Sequence, residues 1–183
     1  NETGCKILLA QKCFSMFYEY PLIGKYISGT TASGLYEARL GYEEMKKENH
    51  VFSPAYRENE FEEIVSYCDH IIFNSISQLR KYRDKCKERS IGLRINPECS
   101  TQEGHSIYDP CAPGSRLGTT LDQLSEEDLI GVEGLHFHTL CEQNADDLEI
   151  TLKEVEKKFG KYLYHMKWLN MGGGHHITRK DYD

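Results

Sequence analysis

The sequence contains no apolar run long enough to span a bilayer, and its start, Asn1-Glu2-Thr3-Gly4-Cys5, lacks the charged and apolar parts of a secretory leader. Neither a membrane segment nor an exported protein is expected. Positive charge is also short: 22 Lys and Arg stand against 29 Asp and Glu, a net −7, with no basic stripe to hold a nucleic acid. No C-x-x-C pair occurs among the seven cysteines (5, 13, 68, 86, 99, 111 and 141), whose number is odd. Reduced thiols in a cytoplasmic protein fit this better than a disulfide frame or a structural zinc site. The 183 residues suffice for one sizeable core but fall short of the ~250 typical of a closed eight-unit barrel.

What is present is an alternation. Short apolar runs at Ile7–Ala10, Gly29–Ser33, His50–Pro54, His70–Asn74, Ile91–Asn96, Gly134–His138 and Met166–Met171 read as strands. Between them, Ser15–Ser28 (with a break or restart at Pro21), Leu35–Glu48, Glu58–Tyr67, Ser75–Arg89 (Ser75 or Ser77 as N-cap), Leu121–Leu129 and Ala145–Phe159 read as helices. Strand–helix alternation at this pace predicts βα units and a parallel sheet. Parity sets Arg94 and Asn96 against Leu93 and Ile95, His136 and His138 against Leu135 and Phe137, and Asn170 against Leu169. One apolar face for covering helices and another that turns polar at the carboxyl ends is the pattern of a (β/α)8 TIM-type barrel, whose active sites lie at those ends. An open doubly wound sheet explains the alternation but not the polar ends. Seven such units are present, so the chain is expected to be a single domain, 1–183, forming an incomplete barrel. The long stretch after Asn96, with Pro97, Pro110 and Pro113, is expected to be a functional loop without a regular element.

Three groups carry chemistry. Gly172-Gly173-Gly174 follows the seventh strand and suits a phosphate cradle, or equally a flexible turn. His136-x-His138 suits a divalent metal, or a ring-covering imidazole beside a core histidine. No acidic residue is evident on an adjoining strand end, so no metal is expected; His175 and His176 sit in a loop, where neighbours diverge. Lys12 shares a strand face with Leu8 and Ala10 while Gln11 points to the other side. It is either a lysine ending a strand in water or, if desolvated, a nucleophilic amine. An aldehyde cofactor bearing a phosphate, such as pyridoxal phosphate, needs an amine, a cradle and a flat ring partner, which Lys12, Gly172–Gly174 and His138 can supply.

The segments Leu9–Phe14, Thr31–Arg39, Phe52–Tyr56, Leu93–Glu98, Tyr108–Gly118, Gly134–Glu142 and Leu169–His176 together resemble fold-type III pyridoxal-phosphate decarboxylases. The likeness is to the alanine racemase/ornithine decarboxylase barrel type, and within it to the carboxynorspermidine and carboxyspermidine decarboxylases. Gln11, in place of an aliphatic residue, and Gly34, in place of a second serine, depart from the pattern. The resemblance implies that Lys12 is catalytic and bonds the cofactor aldehyde, that His138 stacks on the ring, and that Gly172, Gly173 and Gly174 hold the phosphate. It places Cys141 near that phosphate and Arg94 under the cofactor. It further implies a cytoplasmic homodimer acting on a polyamine carboxylate. An eighth strand and a C-terminal β-domain, absent from these residues, would bring the remaining catalytic groups, so this piece alone is expected to be inactive. Diaminopimelate, ornithine or lysine decarboxylation, a non-catalytic cofactor-binding homologue and, more remotely, a metal-dependent hydrolase using His136 and His138 are the alternatives.

Overall fold

The computed structural model describes residues 3–102 and 106–182. The terminal residues Asn1, Glu2 and Asp183, and 103–105 inside the long loop, lie outside the described residues. The chain divides into two compact units, residues 1–73 with 81–91, and residues 74–80 with 92–183.

In the first unit, β1 (Leu8–Ala10), β2 (Gly29–Ala32), β3 (Glu48–Phe52) and β4 (His70–Phe73) pair in chain order, every pair parallel. In the second, β5 (Ser90–Arg94, from Gly92 onward), β6 (Gly134–His136) and β7 (Trp168–Asn170) do the same. The helices are α1 (Tyr20–Ile23), α2 (Leu35–Leu40), α3 (Glu58–Tyr67), α4 (Ile76–Tyr82) and α5 (Ala145–Leu163).

The long helices form for local reasons. In α3, Glu58 and Glu60 complement the amino-terminal dipole while Phe61 and Ile64, three apart, are buried. In α5, Asn144 and Asp147 form a capping box, and Thr151, Val155, Phe159 and Tyr162 make the buried stripe. That stripe carries the helix past Phe159 to Leu163. Pro21 sits in the first turn of α1, where its missing N–H costs nothing, so it restarts rather than breaks the segment.

Several expected elements are corrected. The segment Ser15–Ser28 is a 3-10 turn (Phe17–Glu19) and one turn of α-helix, stopped at Gly24. The expected Leu35–Glu48 helix ends early: α2 gives way to a π-helical turn at Gly41–Met45, closed by Lys46 at φ 54°. That leaves Glu48 and Asn49 for β3, which begins two residues earlier than expected because Gly29 pairs with Glu48, and stops before Pro54. The expected helix Leu121–Leu129 is two 3-10 turns, Leu121–Gln123 and Glu126–Leu129. Ser125 stays extended between them, and its hydroxyl donates to Asp128, which Arg80 Nε also holds at 2.9 Å. Ser75 is the cap of α4, its hydroxyl accepting the Gln78 N–H. β6 ends at His136 rather than His138, because its partner β7 turns away after Asn170 accepts the Phe137 N–H.

The face under the helices is less apolar than parity suggested. Gln11, Thr30 and Asn49 are all 1 % exposed or less. Gln11 Nε2 donates to the Glu37 carbonyl at 2.8 Å and Gln11 Oε1 accepts from Tyr20; Asn49 Nδ2 donates to the Ala38 and Tyr67 carbonyls. These buried polar groups are tolerated because each is hydrogen-bonded: Gln11 and Asn49 donate to carbonyls of α2 and α3, and the Thr30 hydroxyl donates to Asn49 Oδ1 at 2.9 Å. Around them the first core is an aromatic cluster, Tyr56, Phe61, Phe73 and Tyr82, with Phe61 and Tyr82 centroids 4.2 Å apart. The second centres on Leu93, Leu135, Phe137, Val155 and Phe159.

Candidate active site

The carboxyl ends of β5, β6 and β7 are in register, with Arg94 beside His136 and His136 beside Asn170. His136 is buried, and its Nδ1–H donates to both the backbone oxygen (3.2 Å) and Oδ1 (3.0 Å) of Asn170. This fixes the tautomer and turns the Asn170 amide oxygen into a shared acceptor. The Gly172 N–H reaches the same Oδ1 at 2.8 Å. Burial first, then the nearby Arg94 and His138, hold the His136 imidazole down to about 3, against hydrogen bonds to Asn170 that act the other way. It is a neutral anchor at ordinary pH.

His138 lies two residues past the end of β6, half-buried. Its Nδ1 accepts the Gly173 N–H at 3.1 Å, and its carbonyl accepts from the buried Arg94 guanidinium at 3.0 Å. Burial pulls Arg94 down to about 10, with Cys111 acting oppositely, so it remains a cation. The glycine turn is locked to this arrangement. Gly172 and Gly174 have φ of +72° and +98°. A Cβ on Gly172 would lie 2.6 Å from the Phe137 carbonyl oxygen, and one on Gly174 would strike the Leu140 carbonyl. Gly174 in turn accepts the Gln143 N–H, which places the Leu140–Gln143 turn, with exposed Cys141 in it, against the glycines.

The long loop returns to the same end. The Thr119 N–H donates to Arg94 O, the Asn96 N–H to Thr119 O, and Asn74 grips the loop by donating to Arg116 O and accepting the Gly118 N–H.

Of the residues singled out in sequence, Arg94, His138 and Gly173 are thus joined by hydrogen bonds, Gly172 is bonded to Asn170, and Gly174 and Cys141 adjoin them. Lys12 belongs to the other unit, in the turn that follows β1, with its side chain exposed. Of the two readings of Lys12, the structure shows the exposed lysine at a strand end; Gln11, on the opposite side, is buried. His136 is the core histidine of the reading that pairs it with a ring-covering imidazole; Asn170 was missed as a site residue, its parity at the seventh strand's end being the available signal. His136 and His138 do not converge on a common ligand. Their ring centroids are 6.4 Å apart and tilted by 44°, and among the described residues the one group of three potential metal ligands is Glu48, His50 and His70.

Pyridoxal phosphate, the cofactor that the resemblance implies, is compatible with this strand end. A Cβ on Gly173 would meet only His138 Cε1, at 3.9 Å, so the chain leaves room over the middle glycine beside a flat imidazole. The Gly173 N–H, now bonded to His138, is the amide that an anion would have to win.

No family model matches the chain. A carboxynorspermidine/carboxyspermidine decarboxylase of Campylobacter jejuni is 47 % identical over 183 residues, all of this chain and 48 % of the relative. A carboxyaminopropylagmatine decarboxylase of Synechocystis is 42 % identical over 180 residues, 97 % of this chain and 46 % of the relative. Among solved structures, carboxynorspermidine decarboxylase from Campylobacter jejuni in complex with norspermidine superposes with a TM-score of 0.87 at 46 % identity, over 98 % of this chain and 46 % of that one. The chain therefore has the (β/α)8-barrel fold of the fold-type III decarboxylases, with seven of its strands among the described residues. Its sequence similarity within that fold is to carboxynorspermidine/carboxyspermidine decarboxylases. The chain spans about half the length of the curated relatives it matches. Among the described residues no helix is long and apolar enough to cross a membrane.

Proposed function

We propose that the protein to which this chain belongs decarboxylates carboxynorspermidine or carboxyspermidine with pyridoxal phosphate, releasing CO2 in polyamine biosynthesis. The observation that carries the reading is the bonded group Arg94–His138–Gly173 and Asn170–Gly172, which takes in four residues, Arg94, His138, Gly172 and Gly173, to which the family likeness assigns cofactor contacts. When bound, pyridoxal phosphate supplies the sink for the electron pair left as CO2 departs. The chain's own residues have simpler tasks. Lys12, exposed in the turn after β1, offers the amine that bonds the cofactor aldehyde. The glycine turn presents amides free of side chains, Asn170 and His136 hold that turn in place, and His138 offers a flat face. Arg94, positioned through the His138 carbonyl, adds a fixed positive charge, and Cys141 adjoins the phosphate-binding turn. Homodimerisation, a cytoplasmic location, and a further β-domain with the eighth strand complete the reading.

Lys12→Ala in the full-length protein is expected to abolish both the near-visible absorbance of bound cofactor and CO2 release; retained turnover overturns the assignment. A parallel assay with carboxynorspermidine, carboxyspermidine, carboxyaminopropylagmatine, diaminopimelate and ornithine fixes the substrate. The carboxyaminopropylagmatine arm is warranted by the 42 % identity to the Synechocystis relative.

A further inference from the structure

The first unit holds a cluster that the decarboxylase reading does not use. Glu48 opens β3, His50 lies two residues on and so on the same sheet face, and His70 opens β4 as the register partner of His50. The sheet ladder thus gathers residues twenty positions apart. His50 Nε2 lies 2.8 Å and His70 Nδ1 3.6 Å from Glu48 Oε1, and the three ligand atoms all fall within 4.8 Å of one another. The imidazoles stack with centroids 3.9 Å apart and planes 13° off parallel. The Lys6 ammonium takes the other carboxylate oxygen, Oε2, at 2.6 Å, which leaves Oε1 turned toward the rings.

We propose that Glu48, His50 and His70 form a divalent-cation site of the zinc type that ties the start of β3 to the start of β4. Two imidazole nitrogens and one carboxylate oxygen are the donors that borderline divalent cations select. In tetrahedral zinc with bonds of about 2.0–2.1 Å, neighbouring donor atoms stand roughly 3.3 Å apart, and the observed 2.8 and 3.6 Å straddle that value. Little backbone movement is needed. One ring must turn about its Cβ–Cγ bond out of the stack, because parallel imidazoles cannot both aim in-plane at one ion. Three protein ligands leave a fourth position for water. The cluster sits at the amino-terminal ends of its strands, the end that in barrels serves stability, so the ion is structural and the inference stands apart from the proposed decarboxylation.

The test uses the full-length protein, stripped with a chelator, dialysed and titrated with zinc by calorimetry. Cobalt titration follows in parallel, because its visible d–d bands report imidazole and carboxylate coordination. The proposal expects one zinc per chain, a zinc-dependent rise in melting temperature, and at least a tenfold loss of affinity in both His70→Gln and Glu48→Gln. His70→Gln, at the first position of a strand, keeps the test usable should His50→Gln fail to fold; circular dichroism without metal checks each variant. Absence of stoichiometric binding overturns the proposal. So does zinc bound equally well by a His50→Gln/His70→Gln double variant, which would locate it on other imidazoles or on the thiols.

Discussion

Two histidine pairs of the chain, one on β6 and just past its end and one across β3 and β4, behave oppositely. His136 and His138 are two apart in sequence, yet their rings stand 6.4 Å apart and each serves a different partner, Asn170 and the Gly173 amide. His50 and His70 are twenty apart, yet their rings stack at 3.9 Å against one carboxylate. Burial holds both His50 (about 4) and His136 (about 3) well below the ordinary histidine range, so each is neutral near pH 7. The difference lies in what the strand does next. β6 stops at His136, so His138 is released to follow the glycine turn, whereas β3 continues through His50 and keeps it in register with β4. Proximity along a strand gives shared orientation only while the ladder lasts; register across strands gives contact.

Breaking the His138 side is expected to have the largest effect. Gly174→Val in the full-length protein places a branched side chain at φ +98° against the Leu140 carbonyl. Positive φ costs a β-branched residue roughly 1–3 kcal/mol before the collision is counted, and the turn that donates Gln143 N–H to Gly174 must move. A loss of at least about 3 kcal/mol in urea unfolding, together with loss of cofactor binding, is the expected outcome. Unchanged stability would mean that the turn is pliable and that His138 is not fixed by it.

A neutral buried imidazole also predicts acid sensitivity. The folded value of His136, about 3, lies below the ordinary 6.5, so the unfolded chain binds more protons between the two. The stability this provides is complete above pH 6.5 and is lost as pH falls toward 3, with a slope approaching about 1.4 kcal/mol per pH unit. His136→Gln should flatten that part of the pH–stability curve, measured on chelator-treated full-length protein. A curve parallel to that of the parent protein would show that His136 is already protonated when folded.

These contrasts also explain what was legible beforehand. Helix α3 was read as Glu58–Tyr67 and is found so, because its signals, Glu58 and Glu60 at the start and Phe61 and Ile64 on one face, are local. The seven strands were found for the same reason, and the glycine turn announced itself by composition. Leu121–Leu129 was misread because its helical composition competes with a tertiary demand: Ser125 leaves the helix to reach Asp128, which Arg80 holds from another element. Gln11 illustrates a third case. Its side was given correctly by parity, but its burial depended on Tyr20 and Glu37 arriving with helices whose placement no local pattern states. The Glu48–His50–His70 cluster was invisible because the register of β3 against β4 depends on where each strand begins, and β3 begins two residues before its apolar run.

The smallest expected effect sharpens the comparison from the His50 side. Lys6 is two-thirds exposed, and its bond to Glu48 Oε2 is a surface ion pair over a partly buried carboxylate. Such pairs contribute roughly 0–1 kcal/mol, so Lys6→Ala should barely move the melting temperature of metal-free protein. Its effect on zinc should be opposite in sign and easier to see. Removing a unit charge a few ångströms from an incoming cation relieves roughly 1 kcal/mol of repulsion in a water-like dielectric, and frees Oε2 as a second ligand atom. Zinc affinity should therefore rise about fivefold, while His136 and the glycine turn, which belong to the other unit, keep their acid profile unchanged. Weaker zinc binding in Lys6→Ala would show that the ammonium orients Glu48 toward the imidazoles rather than competing with the metal, and that the carboxylate does not hold its position without it.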